Sequence, residues 1–257
     1  MDFAAIGRVV VRVAEKWESS ATWPTCPPVP IDPSPKNCRD CVSGSYFGGG
    51  RPLYECERFR WMYLWSYLPT NCYSMWDLLR SNSREIRNLL GADRLENGLG
   101  VTSLGCGPGC DLLGLFAWVE DMTLARQHLG SASLRGLDRR AEWLPLVKPV
   151  IDKYYYSSEG PRLEYAVDVQ QVSDVGAARL RDQDDMLLMS RVWSELGYSL
   201  ADSVAVLSEI VAGSPSLRVL AFVDRTDATT INLVDSVLDS IPSLAVLHRD
   251  TCTDNCR

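Results

Sequence analysis

VTSLGCGPGCDLLGL, residues 101–115, decides how the rest of the chain is read. Gly105, Gly107 and Gly109 stand two apart, after an apolar-leaning run and before an apolar helical pattern. A strand, a glycine turn and a helix make a backbone cradle. Glycine reaches positive φ and lets a ligand touch the main chain. The free N–H groups of the helix start then point at whatever is bound. Dinucleotide sites prefer G-x-G-x-x-G. Here Cys110 takes the third glycine's place, the spacing is G-x-G-x-G, and Pro108 stiffens the turn.

Downstream of the turn, strand patterns recur at 133–137, 163–168, 185–190 and 216–223, with a short last candidate at 244–248. Helical patterns fall between them, near 111–129, 140–155, 199–212 and 228–240. Strands alternating with helices of this length predict a parallel sheet covered on both faces. In such a sheet the end of the second strand lies beside the first turn. Asp138 ends that strand and is placed to accept both hydroxyls of a ribose. Asp168, read as the end of the third strand, is placed to meet an adenine amino group.

LGCGPG at 104–109, GLD at 136–138 and AVDV at 166–169 resemble the first three motifs of the class I S-adenosylmethionine-dependent methyltransferases. MLLMSRVWSEL at 186–196 sits where that family keeps its fourth motif, beside the transferred methyl. The resemblance covers roughly residues 99–224. It implies an α/β fold, a Rossmann-like, doubly wound, mostly parallel sheet, with S-adenosylmethionine as cofactor. The cofactor-binding residues it implies are Gly105, Cys106, Gly107, Gly109, Asp111, Asp138, Arg139, Asp168, Val169 and Ser190. Methyl transfer relies on positioning and desolvation more than on a strong base. Glu195, Arg191 and Trp193 are the catalytic candidates.

Two departures matter. Many family members carry an acid two residues before the first glycine, to anchor the cofactor's ammonium. This chain has Ser103 there, and Asp111 is the substitute, or else simply an acid favoured by a helix's first turn. The fourth motif reads Ser190-Arg191-Val192-Trp193, unlike the Asn/Asp-Pro-Pro-aromatic run of many amino-group methyltransferases.

Before residue 99 the chain changes character. Phe3, Ile6, Val10, Val13 and Trp17 mark one helix face. Residues 22–53 are rich in proline and glycine and lose all periodicity. From Tyr54 to about Leu90 the pattern is helical and aromatic, with Pro69 expected to stop the first helix and residues 91–100 read as a turn. The predicted division is a cysteine-bearing cap at 1–98 and a cofactor domain at 99–257. Cys38 and Cys41 form a C-x-x-C pair. With Cys26 and Cys56 they make a four-thiolate set suited to a structural zinc. The alternative is free thiols in a loop.

The chain has 257 residues and a formal net charge of −7, so it is no obvious nucleic-acid binder. The charge divides as +1 over residues 1–98 and −8 over the rest. Nine cysteines and no secretory pattern point to a reducing compartment, cytoplasmic or nuclear. No stretch is long enough to span a membrane. The acceptor is open between RNA, protein and a small molecule, with a lean to a macromolecule because a separate module precedes the cofactor part. Competing readings are a non-catalytic scaffold or partner activator, and a nucleotide-dependent oxidoreductase.

Overall fold

The computed structural model describes residues 56–124, 131–157, 164–172, 179–193, 199–224 and 228–241. The first 55 residues, with Cys26, Cys38 and Cys41, lie outside it, as do Glu195 and the strand candidate at 244–248.

Two helices lead into the sheet, α1 (Glu57–Ser81) and α2 (Ser83–Asn97). Then come β1 (Leu99–Leu104), α3 (Cys110–Leu124), β2 (Ser131–Asp138), α4 (Leu144–Ser157) and β3 (Glu164–Gln171). They are followed by β4 (Asp184–Ser190), α5 (Leu200–Ala212), β5 (Val219–Val223) and α6 (Ala228–Asp239). The strands form a five-stranded sheet in the order β3-β2-β1-β4-β5. Each of its pairings is parallel. This is a Rossmann-like α/β fold. The order reverses between β1 and β4, so the crevice for a ligand opens at the carboxyl ends of those strands.

The strand sequences fit their places. β1 and β4 are buried at every residue, as expected for central strands covered on both faces. β3, at the sheet's margin, alternates half-buried Tyr165, Val167 and Val169 with exposed Ala166, Asp168 and Gln170. One core packs α1, α2, α3 and α4 on one face, through Leu68, Met75, Leu79, Leu112, Leu113 and Val147. A second core on the other face gathers Leu104, Leu187, Met189, Trp193, Leu207 and Val237.

Pro69 does not stop the first helix: α1 continues through it to Ser81. A proline inside a helix removes one hydrogen bond and costs ~3 kcal/mol. Burial of Leu64, Leu68, Cys72, Met75 and Leu79 on both sides of it offsets that cost. The expected turn at 91–100 is also replaced. α2 runs on to Asn97, with a break at Gly91, and β1 begins at Leu99.

α1 lies against α3. Trp76 Nε1 donates to Asp121 at 2.7 Å, and Trp118 Nε1 donates to Ser83 Oγ at 3.2 Å. These contacts sit toward the far end of α3. Cys72 therefore reaches the level of Gly114, near the start of α3. The first half of α1 extends beyond it over the carboxyl ends of the strands, where Tyr63 meets Trp143 at 5.3 Å between ring centroids.

At the opposite end of the sheet a buried network fixes the register. Asp184 accepts from Thr102 Oγ1 at 2.6 Å and from Arg181 Nη2 at 2.7 Å, while Arg181 also donates to Ser133. This ties β4 to β1 and β2, and so sets the height at which Ser190 emerges. Among the described residues, no helix is long and apolar enough to cross a membrane.

Candidate functional site

The glycine turn is tied to the end of β2. Gly105 N–H and Cys106 N–H both donate to Leu137 O, at 2.8 and 3.1 Å. Gly107 N–H donates to Asp138 Oδ2 at 2.8 Å. Gly105, Gly107 and Gly109 all hold positive φ, at 67°, 49° and 92°. Their surroundings differ. A Cβ on Gly105 would lie 2.9 Å from Val192, and one on Gly109 would lie 3.3 Å from Val147. A Cβ on Gly107 would meet no protein atom within 4 Å. Gly107 therefore faces an open space at the head of the turn, where a ligand can approach the backbone.

Asp111 opens α3 just past the turn and is buried, 1% exposed. Ser103 Oγ, from the end of β1, donates to Asp111 Oδ2 at 2.9 Å. Burial pushes the Asp111 carboxyl up to about 6, while Ser190 and Ser103 beside it pull the other way. Asp111 Oδ1 and Ser190 Oγ are both buried, yet neither completes a hydrogen bond of good geometry. A buried acceptor left in this state costs about 1–3 kcal/mol, more when charged. The two groups lie together, buried, beside the glycine turn.

Asp138 closes β2 and is 8% exposed. Its two oxygens accept from Gly107 N–H at 2.8 Å and Arg140 N–H at 2.7 Å. Burial raises its carboxyl above the ordinary value, opposed by these two amides and by Arg139 and Arg140. Each oxygen keeps a lone pair for a further donor. Arg139 itself is exposed, and its carbonyl accepts from Gln171 Nε2 at 3.1 Å.

The third strand does not end on Asp168. β3 runs three residues further, and Asp138 pairs with Gln171. Asp168 pairs with Arg135, well below the rim, and is exposed, accepting from Gln170 Nε2 at 3.0 Å. Val169 packs against the core under Gly136. The rim positions are Gln171 and Val172, with Val172 N–H held by Asp138 O at 2.9 Å. The polar Gln170-Gln171 pair disguised the strand's continuation in the sequence.

At the end of β4, Ser190 faces Asp111. Arg191 follows with φ 61°, the one non-glycine residue at positive φ among those described. Its amide donates to Val223 O at 2.8 Å. Trp193 N–H donates to Asp224 Oδ2 at 3.0 Å, a clamp from the end of β5 that no sequence signal marked. Trp193 is 2% exposed, near Phe222, and its indole N–H has no partner.

Cys72 and Cys106 are buried. Burial and the nearby carboxylates push the Cys72 and Cys106 thiols well above their ordinary range. They stay protonated, which suits neither a nucleophile nor a metal ligand. Cys56 is half-buried at the start of α1. No cluster of three metal-binding side chains exists among the described residues. Cys56's companions in the expected zinc set all fall outside them.

No family model and no curated protein matches the chain. Among solved structures it is similar to an S-adenosylmethionine-dependent methyltransferase from Mesorhizobium loti, at 17% identity over 53% of this chain and 49% of that one, with a TM-score of 0.30. It is also similar to one from Methanosarcina mazei, at 13% identity over 48% and 50%, with a TM-score of 0.32. A third is the complex between the Haloferax volcanii Trm112 methyltransferase activator and a methyltransferase, at 17% identity over 60% and 53%, with a TM-score of 0.28. The chain spans about half the length of each. Likeness of this degree carries no argument about function, which rests on the site.

Proposed function

We propose that this chain is an S-adenosylmethionine-dependent methyltransferase. The observation that carries the reading is the buried Asp111 carboxylate, held from behind by Ser103 and left with one unpartnered oxygen beside the glycine turn. An α-ammonium group is the donor such an oxygen suits. The acid missing at position 103 is thus delivered from the first turn of α3 instead.

The other residues fit the rest of the cofactor. Gly107 offers open backbone at the turn. Asp138 has one free lone pair on each oxygen for the two ribose hydroxyls. Gln171 and Val172 occupy the rim where an adenine edge would lie. When bound, S-adenosylmethionine supplies an electrophilic methyl on a sulfonium. The chain's own residues orient it and exclude water. Ser190 and Arg191 border the methyl end, and the first half of α1 roofs the site through Tyr63 and Trp143.

A non-catalytic scaffold or activator gains nothing from an unpartnered buried carboxylate, and an oxidoreductase is disfavoured by Cys110 at the third glycine position. A partner subunit is compatible with the enzyme reading. A structural zinc on Cys26, Cys38, Cys41 and Cys56 belongs to the proposal, and elemental analysis of the purified protein decides it. The acceptor expected from the sequence is a macromolecule such as RNA. Calorimetry with S-adenosylmethionine, S-adenosylhomocysteine and NAD tests the cofactor. Binding of the first two supports the enzyme; binding of NAD alone, or of none, overturns it.

A further inference from the structure

Asp224, half-buried, is the first residue beyond β5, and it acts on the strand beside it. Ser190 and Val223 end their strands as a pair. Past that pair the chain leaving β4 turns sharply. Arg191 holds φ 61°, the left-handed region in which a long side chain is seldom found. Backbone placed there persists only where its surroundings over-determine it. Two hydrogen bonds to the β5 side do so here. Arg191 N–H donates to Val223 O at 2.8 Å, and Trp193 N–H donates to Asp224 Oδ2 at 3.0 Å. The first uses main chain alone. The second depends on the residue type at 224, because it needs a short side chain ending in an acceptor.

The turn so held borders the glycine loop and Asp111. Ser190 faces Asp111 with its hydroxyl and its amide, and both favour the ionised carboxyl. Val192 closes on the glycine turn: a Cβ on Gly105 would lie 2.9 Å from it. Asp111 is also faced by the Ser103 hydroxyl from β1, the Cys72 thiol from α1 and the Cys106 thiol of the turn, with the Asp138 carboxyl of β2 nearby. Burial keeps both thiols protonated through the neutral range.

We propose that Asp224 is a positioning residue of the cofactor site: by holding Trp193 N–H it fixes the Ser190–Trp193 turn, and so keeps Ser190 on Asp111 and Val192 against the glycine turn. This rests on the cofactor reading above and deepens it. Asp224 acts through the turn and not through its charge, and the two routes have opposite signs. A nearby anion makes a second carboxyl harder to ionise, so removing the charge alone would lower the pH at which Asp111 titrates. Releasing the turn withdraws the Ser190 donors, and that raises it.

The test follows the Asp111 carboxyl by carbon NMR across pH in ligand-free, full-length protein, its signal identified by loss in Asp111→Asn. In wild type it should titrate near 6. In Asp224→Ala the midpoint should move up by about half a pH unit or more. Asp224→Asn loses the charge but keeps an oxygen that accepts from Trp193 N–H, so its midpoint should stay at or below the wild-type one. The acid limb of S-adenosylhomocysteine binding, measured by calorimetry, should shift with Asp224→Ala and return with Asp224→Asn. A general loss of stability would weaken binding without moving that limb. If the alanine variant does not fold, Asp224→Leu takes its place, filling similar space without an acceptor. An unchanged or lowered Asp111 midpoint in the folded variant that lacks the acceptor, or an equal upward shift in Asp224→Asn, overturns the inference. Failure of S-adenosylhomocysteine to bind wild type overturns the cofactor reading instead, and the titration of the ligand-free protein still decides whether Asp224 holds Ser190 on Asp111.

Discussion

The Ser103 hydroxyl, near the end of β1, donates to the Asp111 carboxylate in the first turn of α3 at 2.9 Å. Both residues are essentially inaccessible to solvent. The protein thus holds a carboxyl in its interior with only neutral groups, of Ser103 and Ser190, against it. The arrangement lowers stability unless a ligand cation completes it.

Asp111→Asn should therefore separate stability from binding. The carboxyl is raised from 3.8 to about 6 by burial. A raised acid favours the protonated folded form, so its contribution is most favourable at low pH and is lost as pH rises from about 4 through about 6. Two pKa units correspond to roughly 3 kcal/mol. The variant should be more stable than wild type by ~1–3 kcal/mol above pH 7, with the gap closing toward pH 4. It should bind S-adenosylmethionine at least tenfold more weakly. In wild type, affinity should fall below pH 6 by about tenfold per unit, as the anion that receives the ammonium is lost. Unfolding curves and calorimetry across pH check both halves. A variant that binds normally at pH 8 rules out Asp111 as the ammonium anchor.

Gly107→Ala tests the open face of the turn. The added methyl meets no protein atom within 4 Å, so packing is not disturbed. The φ of 49° makes the substitution cost ~1–2 kcal/mol through the backbone alone. Cofactor affinity should drop by more than tenfold, because the methyl projects into the space beside the loop. Normal binding with the expected small stability loss would mean that the glycine serves only the turn.

The sheet could be read from the sequence because its signals were local. The glycine turn, the apolar β1 and β4, and the helix between 199 and 212 each declared themselves within a few residues. The errors arose where tertiary packing outweighed local preference. Pro69 looked like a stop, but the apolar stripe from Leu64 to Leu79 has a core to bury against. β3 looked finished at Asp168 because an edge strand shows polar residues to water, and Gln170 and Gln171 gave no apolar cue. Asp111 was found as a candidate, but its bond to Ser103 joins residues eight apart and required the fold. The strain at Arg191 and the unpartnered indole of Trp193 are properties of coordinates, and no residue pattern carries them.

Asp138 has two roles that one experiment can part. It orders the turn through Gly107 N–H and Arg140 N–H, and it is proposed to receive the ribose hydroxyls. Asp138→Asn should weaken S-adenosylhomocysteine binding at least tenfold, since hydrogen bonds to a charged group are worth about 1.5–3 kcal/mol each. Loosening of the turn alone would give the same sign. The discriminating probe is the 3′-deoxy analogue. Wild type should bind it more weakly than the parent compound, and the variant should scarcely distinguish the two. Equal discrimination in both proteins assigns Asp138 to the turn only.

Gly114→Ala addresses how α1 is joined to α3. An alanine is ordinarily favoured over glycine within a helix by ~1 kcal/mol. Here its Cβ would fall 2.8 Å from the Cys72 carbonyl oxygen and 2.8 Å from Met75 Cβ. Neither is a flexible tip, so α1 must move away from α3. Overpacking of this kind costs typically 1–3 kcal/mol, which exceeds or cancels the helix gain. α1 shares its core with β1 and α3 through Leu68, Met75, Leu99, Val101 and Leu112. The destabilisation should therefore appear as one cooperative shift of the denaturant transition, without a separate early step. Cys72 lies beside Asp111, so displacement of α1 should also weaken cofactor binding. A stabilised variant would mean that the two helices are not in contact at Gly114. Two separated transitions would show residues up to 98 unfolding as a unit of their own, supporting an independent cap over the shared core described here.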